Sequence, residues 1–245
     1  MIAPAFIAIL FSGFLFFDAM AILARVSASS IERNAFGATM EKMMSTLKRL
    51  MIFSYPPILG YLIVTGDTSS IFRAIFSSYA LGSAVIILVY LNRRRFYRYF
   101  AAVTFHFDHG GSALSSMKSA FSNRRSIEGC DESVFGSAKV ATAFMNNHKL
   151  LMFSSWIFFV HGSAIFLINL IALKFSDYAP IILQSLGVIN GLGTLVMAFL
   201  VDPVVSRFLD RRIELDQVAQ VIVGAQFLAS SVLGPTLFGL LYFVV

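Results

Sequence analysis

Long apolar runs separated by short polar connections dominate the chain. Six of these runs, at about 2–24, 46–65, 73–92, 150–173, 180–201 and 218–245, are predicted to be spans. Each is close to the roughly 20 residues that an α-helix needs to cross about 30 Å of hydrocarbon. The backbone of such a run finds no water inside a bilayer, so it must satisfy its own hydrogen bonds as a helix. The pattern therefore predicts an all-α, polytopic membrane protein with six transmembrane helices.

The composition supports a single transmembrane domain over residues 1–245. The chain is 58% hydrophobic and 13% charged, with a mean hydropathy of +0.79, whereas soluble domains average about 25% charged residues. A lone cysteine, Cys130, excludes an intrachain disulfide. The first run has no basic segment before it and no small-residue cleavage site, so it is predicted to be a retained span.

The basic residues indicate how the spans are oriented. All but two of the 19 Lys and Arg residues lie in or beside the first, third and fifth connections, the exceptions being Arg73 and Lys174. Cytoplasmic loops carry such an excess, so this face is expected in the cytoplasm and both termini are expected outside. Spans one to three and four to six would then have opposite topology, which is compatible with two inverted three-helix halves.

The third connection, 93–149, is the basic cytoplasmic part of the chain. It opens with bases interleaved with aromatics over 93–100, a pattern typical of a surface that binds anionic membrane lipids. Plain topological anchoring explains the same residues equally well. Nucleic acid is not expected as a partner, since the segment would lie against a bilayer. His106, Asp108 and His109 supply no fourth ligand at a recognisable spacing, so no metal is expected.

Asp18 is the first candidate functional residue. A carboxylate inside an apolar span costs about 3 kcal/mol and usually faces a bundle interior or a wet cavity. Arg25 follows after two helical turns on the same face, so the two side chains are expected to pair. A purely structural pair at the membrane boundary is the alternative interpretation.

Two later spans carry further candidates. Pro56 and Pro57 are expected to kink or break span two, and broken spans often mark substrate routes in transporters. In span five, Gly187 and Gly191 form a GxxxG pair that favours close helix packing. Asn190 needs a hydrogen-bonding partner there, and Asp202 precedes Pro203, which is expected to end the helix.

Motifs for catalysis are absent from the sequence. It contains no G-x-x-x-x-G-K-[ST], H-E-x-x-H, C-x-x-C or G-x-S-x-G pattern. This favours a carrier or flippase over an enzyme, and no cofactor is expected.

Two distant blocks of residues carry a family resemblance. In the first, Asp18, Arg25, Arg33, Arg49, Pro57 and Gly60 follow one another at fixed spacing. In the second, 188–194 reads V-I-N-G-L-G-T and 201–203 reads V-D-P. In these blocks, roughly 11–65 and 185–245, the chain resembles the bacterial alternate lipid II flippases (the Amj family). One arginine of that family's pattern is here Ser30, and the central connection matches poorly.

The resemblance implies transport of the undecaprenyl-diphosphate-linked peptidoglycan precursor, lipid II, from the inner to the outer leaflet. The candidate substrate-binding residues are Asp18, Arg25, Arg33, Arg49, Asn190 and Asp202. The arginines would bind the diphosphate, Asp18 would orient Arg25, and Asn190 with the span-five glycines would form a pivot. Six spans are few for so large a head group, so a homodimer is expected.

Three alternative functions compete with this interpretation. A carrier of another polyprenyl-linked lipid would use the same cations, and the sequence does not separate the two substrates. A polyprenyl diphosphate phosphatase would need a cluster of acids, His and Arg that the sequence does not supply. In a membrane scaffold without transport, the arginines would be exchangeable for lysine.

Overall fold

The computed structural model describes residues 2–64, 68–122, 140–211 and 215–243. Every element in these ranges is helical. The α-helices are α1 (Ile2–Ser30), α2 (Asn34–Ser54), α3 (Pro56–Val64), α4 (Thr68–Leu91), α5 (Arg93–Asp108), α6 (Ala113–Ser122), α7 (Val140–Asn146), α8 (His148–Lys174), α9 (Ala179–Val196), α10 (Asp202–Arg211), α11 (Leu215–Leu228) and α12 (Gly234–Tyr242). A 3-10 turn, Ser176–Tyr178, precedes α9, and π-helical turns at Met197–Val201 and Ala229–Leu233 connect the last two pairs.

Six of the helical stretches are long and apolar enough to cross a membrane. They are Ile2–Ser30, Asn34–Val64, Thr68–Leu91, His148–Lys174, Ser176–Arg211 and Leu215–Tyr242. The prediction of an all-α protein with six transmembrane helices is thereby confirmed. The inverted relation of the two halves stays a prediction.

Several helices continue beyond the predicted spans. The first runs to Ser30 rather than 24, the second begins at Asn34 rather than 46, and the fifth continues to Arg211 rather than ending at 201. A helix satisfies its own backbone, so it can leave the hydrocarbon and carry on as an amphipathic helix. Pro203 therefore does not end span five, as the sequence had suggested. Its missing N–H is accommodated by the wider π-helical turn before it.

Prolines also accompany interruptions of the regular α-helix in spans two and six. Span two is interrupted at Tyr55, directly before Pro56 and Pro57, and the chain resumes there as α3. Span six changes to a π-helical turn directly before Gly234 and Pro235. Each of these three spans thus has a defined point at which its backbone hydrogen bonds are locally rearranged.

The core lies around α1, α4, α8 and α11. Helix α1 packs on α2, α4, α5 and α11, and α8 packs on α9 and α11. At its centre the ring of Phe11 lies against Tyr55, Tyr79 and Phe166, with centroids 5.3–6.4 Å apart. Such aromatic contacts add about 0.5–1.5 kcal/mol each beyond their buried area, so this cluster joins three spans and the start of α3.

Spans two and five lie on the outside of this core. Only 17% of the most apolar stretch of each is buried, against 61% in α1 and in α8. Helix α2 packs mainly on α1, and α9 mainly on α8. The most apolar stretches of these two spans are therefore the most exposed among the six.

The amphipathic helix α5 closes the end of the bundle where α1 ends, here called the basic end. Its apolar face packs on α1, and Ser27 Oγ donates a 2.8 Å hydrogen bond to the carbonyl of Tyr97. Arg93 and the hydroxyl of Tyr97 both approach the buried carboxylate of Asp216 on α11, at 3.5 and 3.4 Å. Burial raises the pKa of Tyr97 well above its usual value, so its hydroxyl remains a donor. These contacts tie α5 to span six.

Candidate functional site

Two ion pairs connect α1 and α2 at matching positions. Lys48 Nζ donates to Asp18 Oδ1, and Arg25 Nη1 lies 3.2 Å from Glu41 Oε2. On each helix the acid and the base are seven residues apart, Asp18 and Arg25 on α1 and Glu41 and Lys48 on α2, which is about 10 Å along the helix axis. Because the helices are antiparallel, the acid-then-base order on each one places opposite charges together at both levels.

Asp18 has a second donor on the opposite side of α1. Gln226 Nε2 of α11 donates a 2.8 Å hydrogen bond to Asp18 Oδ2. The ammonium of Lys48 also lies 5.4 Å above the ring of Phe14. Asp18 therefore connects an outer span, through Lys48, to a core span, through Gln226.

The guanidinium of Arg25 is surrounded by acceptors. Besides Glu41, it donates from Nη2 to Ser206 Oγ of α10 at 2.7 Å. Asp202, also on α10, lies close enough for its charge to act on both Arg25 and Glu41. One cation is thus bound by a carboxylate of span two and a hydroxyl of span five, with the carboxylate of Asp202 nearby.

His161 on α8 connects the two levels to span five. Its ring hydrogen-bonds to the carbonyl of Ile157 at 3.1 Å and lies near the backbone of Asn190. A Cβ added at Gly193 would lie 2.6 Å from Cε1 of this ring, so the glycine is what lets α9 approach α8. The charges of Asp18 and Lys48 also act on His161.

These groups form one continuous arrangement, here called the polar track. It consists of Asp18, Arg25, Glu41, Lys48, His161, Asp202 and Gln226. The core helices α1, α8 and α11 carry four of these residues, and the two outer spans carry the other three. The side chains of Arg25, Glu41 and Lys48 are each 19–32% exposed, so they are reachable from outside the bundle.

The predicted pairing of Asp18 with Arg25 is wrong. Each finds a partner of opposite charge on α2 at the same level, whereas Asp18 and Arg25 are separated by two turns of α1. Asp202 lies beside Arg25. The backbone of Asn190 lies near His161, and its carbonyl accepts a hydrogen bond from Thr194.

Two of the candidate arginines lie outside the polar track. Arg33 Nε pairs with Asp108 Oδ2 at 2.5 Å, and its side chain is 55% exposed. This pair lines an open cavity of about 410 Å³, which is also lined by the stacked rings of Phe36 and Phe107. The exposed Arg49 makes no ion pair or hydrogen bond with the part of the chain that the structure describes.

The expected close packing at Gly187 and Gly191 is not found among the residues that the structure describes. A Cβ added at either position would meet nothing within 4 Å among the described residues. Both glycines lie on the exposed side of α9. The close helix contact in span five is made by Gly193 instead.

The sequence reasoning overlooked the roles of Lys48, Glu41 and Gln226. The spacing of Glu41 and Lys48 repeats that of Asp18 and Arg25. That repetition indicates two antiparallel helices whose charges pair at two levels, and it could have identified both ion pairs. Gln226 carries no comparable signal, because only the three-dimensional fold brings it to Asp18 across 208 residues.

A comparison with family models identifies the chain over nearly its whole length. The model Amj, described as Alternate to MurJ, matches residues 7–244. The match includes the central connection, so the likeness extends beyond the two terminal blocks. No curated protein and no solved structure matches the chain. The chain therefore belongs to the Amj family of alternate lipid II flippases, multi-pass proteins of the inner membrane.

Proposed function

We propose that this protein moves lipid II from the inner to the outer leaflet, and that the diphosphate of the lipid binds Arg25 and Lys48. The observation that carries the proposal is the two ion pairs between α1 and α2, which lie on an accessible side of the bundle. A guanidinium and an ammonium about 10 Å apart along α1 and α2 suit a substrate with an anionic diphosphate and a large polar head. The head group cannot cross hydrocarbon unaided, because burying its polar and charged atoms there is prohibitive.

In this proposal the carboxylates hold the cations when no substrate is bound. Asp18 and Glu41 occupy Lys48 and Arg25 in the empty protein. Removing one partner of a buried ion pair costs about 3–5 kcal/mol, so a cation left alone in the bilayer would be strongly destabilising. Exchange of carboxylate for phosphate keeps each cation paired throughout, and it replaces one charge-assisted hydrogen bond with another.

Movement of the two outer spans would expose the polar track to each leaflet in turn. Spans two and five have little buried surface, and each has a proline-associated break, at Tyr55 and at Met197–Val201. Such breaks allow helix halves to pivot. The polyprenyl tail would remain in lipid while the head passes between the outer spans.

The remaining candidate residues take supporting roles in the proposal. Arg33, which is exposed at the basic end, would make an early contact with the head group, and the exposed Arg49, next to Lys48, would make a later one. Asn190 and Asp202 would position His161 and Arg25. The exposed arginines of α5, Arg94 among them, would bind anionic lipids, with both termini of the chain outside.

A homodimer is also part of the proposal. The exposed face of α9 around Gly187 and Gly191 has open space for another helix, and small residues allow two transmembrane helices to pack closely. A second copy would close the side of the bundle that one chain leaves uncovered.

Complementation of a strain that lacks its usual precursor flippase tests the proposal. Wild-type protein should restore growth, Arg25→Ala should not, and Lys174→Ala should, since Lys174 is exposed and far from the polar track. Immunoblots of the membrane fraction check that the variants insert equally. Full rescue by Arg25→Ala would contradict the proposed binding role.

Three further readouts separate the alternatives. Rescue only of a strain blocked in teichoic acid or O-antigen export would point to another polyprenyl-linked substrate. Phosphate release from undecaprenyl diphosphate by the purified protein would indicate a phosphatase. A scaffold would tolerate Arg25→Lys without loss, whereas a bidentate contact with phosphate would not.

A further inference from the structure

The carboxylate of Asp18 is held by two donors that differ in kind. Its Oδ1 accepts from the ammonium of Lys48 on an outer span, and its Oδ2 accepts from the amide of Gln226 on a core span. Only 10% of the Asp18 side chain is exposed. If Lys48 leaves, Oδ1 loses its charged partner while it remains inside the bundle.

Gln226 carries an unused acceptor next to this carboxylate. The residue is 0% exposed, and its Oε1 has no hydrogen-bond partner among the described residues. Buried side-chain oxygens are normally satisfied. An ionised carboxylate has no proton to offer this oxygen, but a protonated one has a single O–H donor.

A carboxylic acid and a primary amide can form two hydrogen bonds in one ring. The amide N–H donates to one acid oxygen, and the acid O–H donates to the amide oxygen. The bond from Gln226 Nε2 to Asp18 Oδ2 is half of such a ring. A proton on Oδ1 would supply the other half and satisfy Oε1.

We propose that Asp18 is a proton-binding site, which takes up one proton when an anionic lipid diphosphate draws Lys48 away. The inference rests on the proposed function and adds to it a proton linked to substrate binding. The hydrogen bond from Lys48 Nζ to Oδ1 breaks and re-forms to a phosphate oxygen, while Lys48 stays charged. A proton from water binds Oδ1 and donates to Gln226 Oε1. No other bond changes.

The surrounding charges are compatible with this exchange. Besides Lys48, the charged groups that interact with Asp18 are Glu41 on α2 and His161 on α8, and Arg25, two turns away on α1, is paired with Glu41. Asp202 on α10 acts on Arg25 and Glu41, Tyr79 of α4 is bound to Ser163, and Arg93 of α5 lies beside Asp216. Lys48 is the one cation in direct contact with Asp18 among the described residues. Once it leaves, the negative charge of Glu41 opposes an unpaired, ionised carboxylate at Asp18.

Linkage gives the sign of the pH dependence. Uptake of one proton on binding means that affinity rises as pH falls, by up to about tenfold per pH unit while free Asp18 is ionised. Protonation of the diphosphate itself acts in the opposite direction, because it removes charge from the ligand. A variant without the carboxylate should therefore bind less tightly at low pH or show no change.

Isothermal titration of the full-length protein in nanodiscs with undecaprenyl diphosphate tests the inference. Comparing buffers of different ionisation enthalpy gives the number of protons exchanged per ligand. The wild type and the exposed-site control Asp177→Asn should take up about one more proton than Asp18→Asn. Infrared difference spectra should show a carboxylic acid band on binding that is absent from Asp18→Asn.

Gln226→Met provides a second test that leaves Asp18 in place. Without the amide, proton uptake per bound diphosphate should fall and the pH dependence should flatten. Equal proton uptake by wild type and Asp18→Asn overturns the inference, as does a band that disappears in Glu41→Gln but not in Asp18→Asn. Absence of any diphosphate binding by the wild type contradicts the proposed function instead.

Discussion

Breaking the ion pair between Asp18 and Lys48 from either side should cost more than removing both charges together. The pair is well shielded, since its side chains are 10% and 25% exposed. Removing one partner of a buried pair costs about 3–5 kcal/mol, because the other charge is left uncompensated. Lys48 is a quarter exposed and lies over the ring of Phe14, so we expect about 2–3 kcal/mol for Asp18→Asn.

The double-mutant cycle with Asp18→Asn and Lys48→Met measures this coupling. Each single variant leaves one buried charge, whereas the double variant leaves none, so the coupling energy should exceed about 1 kcal/mol. Thermal unfolding in detergent, followed by circular dichroism, gives the change in stability. For a chain of this size, 1 kcal/mol corresponds to about 2–4 °C in Tm, so each single variant should melt roughly 4–12 °C below the wild type.

The exposed pair of Arg33 and Asp108 provides the matched control cycle. Its side chains are 55% and 32% exposed, and exposed pairs contribute about 0–1 kcal/mol. Additive effects at Asp18 and Lys48, within about 0.5 kcal/mol, would refute the view that the two charges hold each other inside the bundle.

Two further substitutions test one helix contact beside the polar track and one ion pair at the basic end. Gly193→Ala should lower stability by about 1–3 kcal/mol, because its Cβ would lie 2.6 Å from the ring of His161. The control Gly191→Ala meets open space and should change stability by less than about 0.5 kcal/mol. Equal Tm values for the two variants would contradict the close contact. Asp216→Asn should cost about 2–3 kcal/mol by leaving Arg93 without its carboxylate, measured by the same thermal unfolding, and an unchanged Tm would show that this pair does not stabilise the basic end.

The helices were predictable because the bilayer leaves the chain few choices. Six apolar runs correspond to six long helices, since hydrocarbon forces every spanning segment to satisfy its own backbone. The ends of the helices were less predictable. Nothing in the apolar pattern indicates that α1 and α10 continue to Ser30 and Arg211, because amphipathic extensions depend on what packs beside them.

The candidate site was predicted only in part. Asp18, Arg25 and Asp202 were identified because charge in or beside an apolar span is costly and therefore conspicuous. Their partners depend on how the helices are arranged: the antiparallel register of α1 and α2 pairs Arg25 with Glu41, and the fold brings Gln226 to Asp18. A sequence gives the positions along each helix, but not which neighbouring helix faces them.

The rate at which the purified protein flips lipid II in proteoliposomes tests the central claim most directly. A charge-assisted hydrogen bond contributes about 1.5–3 kcal/mol, so loss of one cationic contact in Arg25→Ala should slow flipping by about 10–150-fold. Lys174→Ala should flip at the wild-type rate. A wild-type rate in Arg25→Ala, with the protein folded and correctly inserted, would contradict the claim that the polar track carries the diphosphate.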